Sequence, residues 1–145
     1  MTLVQKKVED LVMSEKKKKK VRSNQKLYVV VCRDLIPGAQ ACQGLHAFRE
    51  FIQKYPEQEA KWYKESNYIC MLSIPDEAGL LLLINEARDQ GIKWAAFQEP
   101  DMDHRFTAVA LEPTDEAMRL CELLPLALRE YGPPPSAEVE RENKV

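Results

Sequence analysis

The six residues Leu27-Tyr28-Val29-Val30-Val31-Cys32 constrain the fold of this chain more than any other stretch. They form an unbroken apolar, β-branched run without alternation, the pattern of a strand covered on both faces. Such a strand needs helices above and below its sheet, so an α/β architecture is expected. Pro37 opens a helix that runs to about Tyr55, because proline near a helix start loses no needed N–H. Ala41, Leu45, Phe48, Ile52 and Tyr55 recur at steps of four and three, which predicts its core stripe, and Pro56 closes it. A second strand covers Asn67 to Ile74. Asp76 then caps a helix through Gln90 that stops at Gly91. Ile92 to Phe97 and Phe106 to Leu111 read as further strands. Thr114 caps a final helix through about Glu130, which Pro125 kinks or ends early. The expected order is β-α-β-α-β-β-α: a single domain with a four-stranded mixed sheet flanked by about three helices.

The chain has 145 residues and a formal net charge of −2, but the charge is unevenly spread. Residues 1–27 carry nine Lys/Arg against three Asp/Glu, and residues 28–113 carry eight against thirteen. A basic arm at 1–25 thus precedes an α/β domain at 26–131. Leu3, Val4, Val8, Leu11 and Val12 have helical spacing, so the arm is either disordered or a short amphipathic helix. Lys16, Lys17, Lys18, Lys19 and Lys20 repel one another, and serve either as a solubilising leader or as a phosphate-seeking arm. Gly132-Pro133-Pro134-Pro135 stops any helix, and residues 132–145 read as a disordered tail.

The longest apolar run, Leu80 to Ile84, is far short of the roughly 20 residues that span a bilayer. The charged start offers no secretory leader. Cys32, Cys42, Cys70 and Cys121 lack C-x-x-C spacing and sit among apolar neighbours, as buried small hydrophobes of a reducing compartment would. A cytoplasmic protein without a membrane partner is expected.

In open α/β sheets, ligands bind beyond the carboxyl ends of the strands. Two loops meet that description, Arg33 to Gln43 and Gln98 to Arg105. On the helix that follows the first loop, Gln43 and His46 fall opposite the apolar stripe, so His46 is either a plain surface histidine or a group that handles water. Glu99, Asp101 and Asp103 place three carboxylates in five residues. Their repulsion would raise one pKa in an enclosed loop, which suits a general base, a divalent metal or a solvated turn. His104 adjoins them, but no metal-ligand spacing such as H-x-x-x-H accompanies it, and no metal or other cofactor is expected. Arg33, Arg49 and Arg105 are phosphate contacts or surface ion partners. No nucleophile elbow, phosphate-binding loop or dinucleotide fingerprint is present.

The segment Arg33-Asp34-Leu35 to Gly44-Leu45-His46-Ala47 resembles the strand-to-helix signature of type 2 peptidyl-tRNA hydrolases, in which an Asp-Leu loop with glycine leads into A-x-Q-x-x-H-A. Asp34-Leu35, Gly38, Ala41, Gln43 and His46-Ala47 are the shared elements. Phe97 to Asp101, followed by Thr107 to Pro113, is similar to the family's acidic strand end, short loop and last strand opened by threonine. The resemblance runs from about Lys26 to Leu128. It departs in the loop Ile36-Pro37-Gly38-Ala39, which is short and lacks the family's lysine, and in Glu99 to Asp103, which replaces a D-A-G-R-T stretch. Such shortened forms resemble a bacterial and phage branch.

The resemblance implies a peptidyl-tRNA hydrolase that uses no metal, with tRNA as partner and a homodimer as assembly. His46, Glu99, Asp101 or Asp103 would orient or deprotonate water, and Gln40, Gln43 and Thr107 would donate hydrogen bonds. Asp34, Gly38, Gln40, Arg33, Arg105 and Lys16 to Lys20 would hold substrate. Leu120, Leu123, Leu124 and Leu128 on the last helix either serve the dimer or cover the sheet. A non-catalytic binding module that lost the lysine is the alternative, and a small-molecule hydrolase on the same scaffold is the third reading.

Overall fold

The computed structural model describes residues 2–18 and 23–129. Strands β1 (Lys26–Cys32), β2 (Tyr68–Ile74), β3 (Trp94–Glu99) and β4 (Arg105–Leu111) form one mixed sheet in the order β2-β1-β4-β3. Central β1 runs parallel to β2 and antiparallel to β4, and β3 pairs antiparallel with β4. The apolar run that suggested this architecture is buried on both faces. Leu27, Val29 and Val31 meet Ala47, Phe51 and Trp62 on one side, while Tyr28, Val30 and Cys32 meet Leu80, Ile84 and Leu111 on the other.

Among the described residues, five α-helices accompany the sheet: α1 (Leu3–Lys18), α2 (Pro37–Lys54), α3 (Pro56–Glu65), α4 (Glu77–Asp89) and α5 (Asp115–Cys121). The α2 and α3 side chains fill the first core; those of α4 and α5 fill the second. The expected caps are in place. Asp76 accepts from Gly79 N at 2.9 Å, and Thr114 from Ala117 N at 3.1 Å. Gly91, at φ +72, ends α4 in the left-handed conformation that glycine adopts without strain.

Pro56 ends one helix and also begins another. Proline is at home in a first helical turn, so Pro56 starts α3 directly, and α3 carries the buried Trp62. The predicted face of α2 is only partly right: Phe48 and Tyr55 pack at the margin of the core, but the stripe does not mark its centre. The buried residues of α2 are Gln40, Gln43, Gly44, Ala47 and Phe51, whereas Leu45 is 64% exposed. Two glutamines are buried because their amides find partners, Gln43 on the sheet and Gln40 on the Leu35 and Leu128 backbone, which a purely apolar pattern cannot anticipate. Gly44 lets α2 approach closely: a Cβ would stand 2.7 Å from Met71 Cε and 3.2 Å from Val31 Cγ1. We expect Gly44→Leu to destabilise by about 1–3 kcal/mol through overpacking, read as a lower urea midpoint.

The last helix is also shorter than predicted, ending at Cys121 rather than near Glu130. Pro125 has no N–H to continue it, and the chain turns to bond the outer edge of β2. Ser73 N donates to Pro125 O at 2.9 Å and Ala127 N to Met71 O at 3.0 Å. The four leucines therefore share no helical face. Leu120 and Leu124 pack on the core, while Leu123 and Leu128 are exposed.

Of the cysteines, Cys32 and Cys121 are buried as expected, and burial pushes their thiols up to about 11 and about 12. Cys42 is exposed and Cys70 half-buried, contrary to expectation. The arm is helical through Lys18. Reciprocal bonds between Thr2 and Gln5, at 2.8 and 3.1 Å, form a capping box at its start. Leu3, Val4, Val8, Leu11 and Val12 are all exposed. Lys19, Lys20 and the tail at 132–145 lie outside the described residues.

Candidate functional site

The carboxyl ends of β1 and β3 meet the amino end of β4 at one end of the sheet, and most of the singled-out residues lie there. The geometry begins with an irregularity. Phe97 pairs with Ala108 and Gln98 with Phe106, so Thr107 is an extra residue in β4, a β-bulge. Past the bulge, Ala108 and Ala110 face α2, while Val109 and Leu111 face α4. Strict alternation would send Thr107 toward α4 with Val109. The bulge turns it toward α2 instead, and Phe106 takes the α4 side. Glu77 Oε2, in the first turn of α4, accepts from Phe106 N at 2.7 Å.

Thr107 is fully buried and donates from Oγ1 to Gln43 Oε1 at 2.5 Å. Gln43 Nε2 donates in turn to Glu99 Oε2 at 2.8 Å. The backbone N–H of Asp101 completes the set, reaching Glu99 Oε1 at 3.2 Å. The amide must face the carboxylate with its nitrogen, so its oxygen must face the hydroxyl, and each group fixes its neighbour. A relay therefore runs from β4 through α2 to the end of β3.

The bond from Gln43, with the Asp101 N–H and the nearby His46, holds the Glu99 pKa below its ordinary value. This reverses the upward shift expected of crowded carboxylates, because donors rather than acids surround Glu99 while Asp101 and Asp103 stay exposed. His46, one turn along α2 from Gln43, is exposed and stacks on Phe97 with ring centroids 4.3 Å apart and planes 15° from parallel.

The family model for Peptidyl-tRNA hydrolase PTH2 matches residues 25–119, which take in all four strands and both site segments. The chain belongs to this peptidyl-tRNA hydrolase family. A search of curated proteins returns no match.

The other expected residues of this peptidyl-tRNA hydrolase family member take up supporting positions. Arg105 pairs with Asp34 at 2.5 Å, with both side chains partly exposed, so the two anticipated substrate contacts tie the β1–α2 loop to the start of β4. Gln40 is a correction. It is completely buried, with Nε2 on Leu35 O at 2.7 Å and Oε1 accepting from Leu128 N at 3.2 Å, and it braces the loop out of a substrate's reach. Thr107 likewise spends its donor on the relay, and Gln43 gives its oxygen and one N–H to it.

Gly38 lies in the first turn of α2, where a Cβ would meet nothing within 4 Å, so neither space nor backbone demands glycine. Arg33 is half-buried, its backbone N bonded to Ile74 O at 2.9 Å. Arg49 reaches Gln53 on its own helix at 3.1 Å. At the hairpin tip, Asp103 and His104 both hold left-handed backbone, at φ 51 and 59. That conformation is uncommon outside glycine, and the turn is pinned by His104 N on Glu99 O at 3.0 Å. The side chains of Lys16 to Lys18 lie outside the described set, like Lys19 and Lys20.

Sequence reading missed Phe97 and Glu77. Phe97 precedes Glu99 by two positions on a strand, so period-two alternation alone puts both on one face. Glu77 carried no signal beyond an acid in a first helical turn. Two sizeable cavities, of about 310 and about 510 Å³, lie at the opposite end of the sheet near Trp62 and Tyr68, away from the relay. Among the described residues, no three of His, Cys, Asp or Glu come together to hold a metal ion, and no helix is long and apolar enough to cross a membrane.

Proposed function

We propose that this chain hydrolyses the ester between a peptide and the ribose of tRNA, with Glu99 orienting and deprotonating the attacking water. The observation that carries this reading is the Thr107–Gln43–Glu99 relay, because it fixes a surface carboxylate in one orientation and keeps it ionised. Water oxygen adds to the ester carbonyl as its proton passes to Glu99. The tetrahedral intermediate then breaks its bond to the ribose oxygen, which takes that proton as it leaves. A lowered pKa makes Glu99 a weaker base but guarantees its charge at neutral pH. Nothing in these steps requires the lysine missing from Ile36 to Ala39. An open, loop-built site suits an acceptor stem better than a closed pocket would.

Phosphate contact falls to Lys16 to Lys20, since residues 28–113 carry thirteen acids against eight bases. Replacing those five lysines by serine should weaken tRNA binding and flatten its salt dependence. Pairing of two copies and a cytoplasmic location belong to the same proposal, and sedimentation of the intact chain checks the first.

The deciding experiment is single-turnover release of peptide from N-blocked aminoacyl-tRNA by the intact chain. Release well above buffer is the expected result. A folded protein that releases none would leave the alternative, a non-catalytic binding module on the same fold that lost the family's lysine.

A further inference from the structure

Nothing in the relay accounts for the His46–Phe97 stack. A histidine that moves protons is normally held through one ring nitrogen by a carboxylate or carbonyl, which sets its tautomer and aim. Among the described residues, what orients the His46 ring is the face of Phe97, nearly parallel at 4.3 Å and 15°. The two storeys differ in character. Phe97 is half-buried and packed into the core beneath α2, so it is a fixed base, while His46 above it is exposed.

Position matters as much as the stack itself. Phe97 and Glu99 are alternate residues of β3, so they share a sheet face and stand about 7 Å apart along the strand. With His46 lying over Phe97, that spacing is the offset along the strand between the stack and Glu99, and it is on the scale of a single nucleoside, with a base at one end and an esterified ribose oxygen at the other. An exposed π-face one nucleoside from a carboxylate is the arrangement expected where a nucleobase stacks while its ribose presents a reacting group.

We propose that the open face of His46, supported from below by Phe97, stacks on the base of the nucleoside that carries the peptidyl ester. This rests on the hydrolase reading above and deepens it, since it makes His46 a substrate-binding group and leaves water to Glu99. Stacking of this kind tolerates any base, because each presents a π-face. It would set the distance between the ester and Glu99 without reading sequence.

The test uses the full chain with His46→Ala and His46→Phe, assayed at saturating and limiting N-blocked aminoacyl-tRNA. His46→Ala should raise KM about tenfold, within the range for losing one stacked base, and leave kcat within about twofold. His46→Phe keeps a flat ring and cannot carry a proton, so it should restore KM and keep kcat at neutral pH, with the acid limb moving only slightly up because one of the smaller causes of the lowered Glu99 pKa is gone. A blocked aminoacyl ester of a ribose without a base should show the same KM with wild type and with His46→Ala. If His46→Phe loses kcat as fully as His46→Ala, the residue transfers protons and the stacking role is wrong. If His46→Ala changes nothing, it is a plain surface histidine. Should the wild type release no peptide at all, the hydrolase reading fails separately, and affinity still judges the stack. Wild type should then bind intact tRNA more tightly than tRNA lacking its 3′ nucleoside, and His46→Ala should erase that preference. An equal preference in both proteins would overturn the proposal.

Discussion

Glu99→Gln is expected to leave the fold intact and to lower kcat by roughly 10²–10⁴-fold with little change in KM. The substitution preserves size and its one oxygen can still accept from Gln43, so what is lost is the charge, the proton acceptor and the bond from the Asp101 N–H. Rapid-quench measurement of kcat beside a circular-dichroism melt checks both halves. A variant that melts like wild type and keeps its rate would remove Glu99 from the mechanism.

The pH dependence follows from the same group. Its pKa is held below the ordinary Glu value of about 4.3, first by Gln43, then by the Asp101 N–H. Activity that needs the anion is therefore constant through neutral pH and falls only as pH drops below the usual carboxylate range. Whatever folding stability Glu99 contributes has the same sign: it is present above the unfolded-state value and lost as pH falls through the folded one. Gln43→Leu removes the largest cause, so the acid limb of its profile should move up toward the ordinary Glu value.

Phe51→Ala should cost about 3–5 kcal/mol of stability, the range for emptying a buried aromatic site. Phe51 is fully buried on the sheet-facing side of α2, in the core shared with Leu27, Val29 and Trp62, and 5.2 Å from the Tyr55 ring. Urea titration should show a lower midpoint with an unchanged slope. Because α2 also carries Gln43 and His46, turnover should fall at temperatures where the variant is still folded. Leu45→Ala is the natural contrast: Leu45 is 64% exposed, so its loss should stay within about 0.5 kcal/mol. Equal costs for the two would mean that α2 packs by the stripe its apolar residues suggest.

That contrast shows where the sequence was legible. The β-branched run at Leu27 to Cys32, the caps Asp76 and Thr114, and the stop at Gly91 act locally, so each could be read from its own neighbourhood. The face of α2 could not. Gln40 and Gln43 are buried because partners distant in sequence, Leu128 and Thr107, satisfy them, and a hydrophobic pattern holds no record of those partners. The end of α5 was obscure for a related reason: the free edge of β2 competes for the backbone of Pro125 and Ala127. At the site, the residue types and their two segments were legible from the family signature, but the division of labour was not. Thr107 and Gln43 looked like donors to a substrate until the bulge showed them bonded to each other.

The bulge at Thr107 has a consequence for how the site is encoded. The strand is written in two phases, and the inward and outward positions exchange roles as it passes residue 107. A β4 one residue shorter that kept its threonine would restore a regular ladder and carry the hydroxyl to the far side of the sheet. Such a chain would keep its strands and its cores and would hold no relay. The site is thus specified partly by a count: a substitution such as Thr107→Val would remove the hydroxyl, whereas a deletion beside it would keep the hydroxyl and put it on the wrong face.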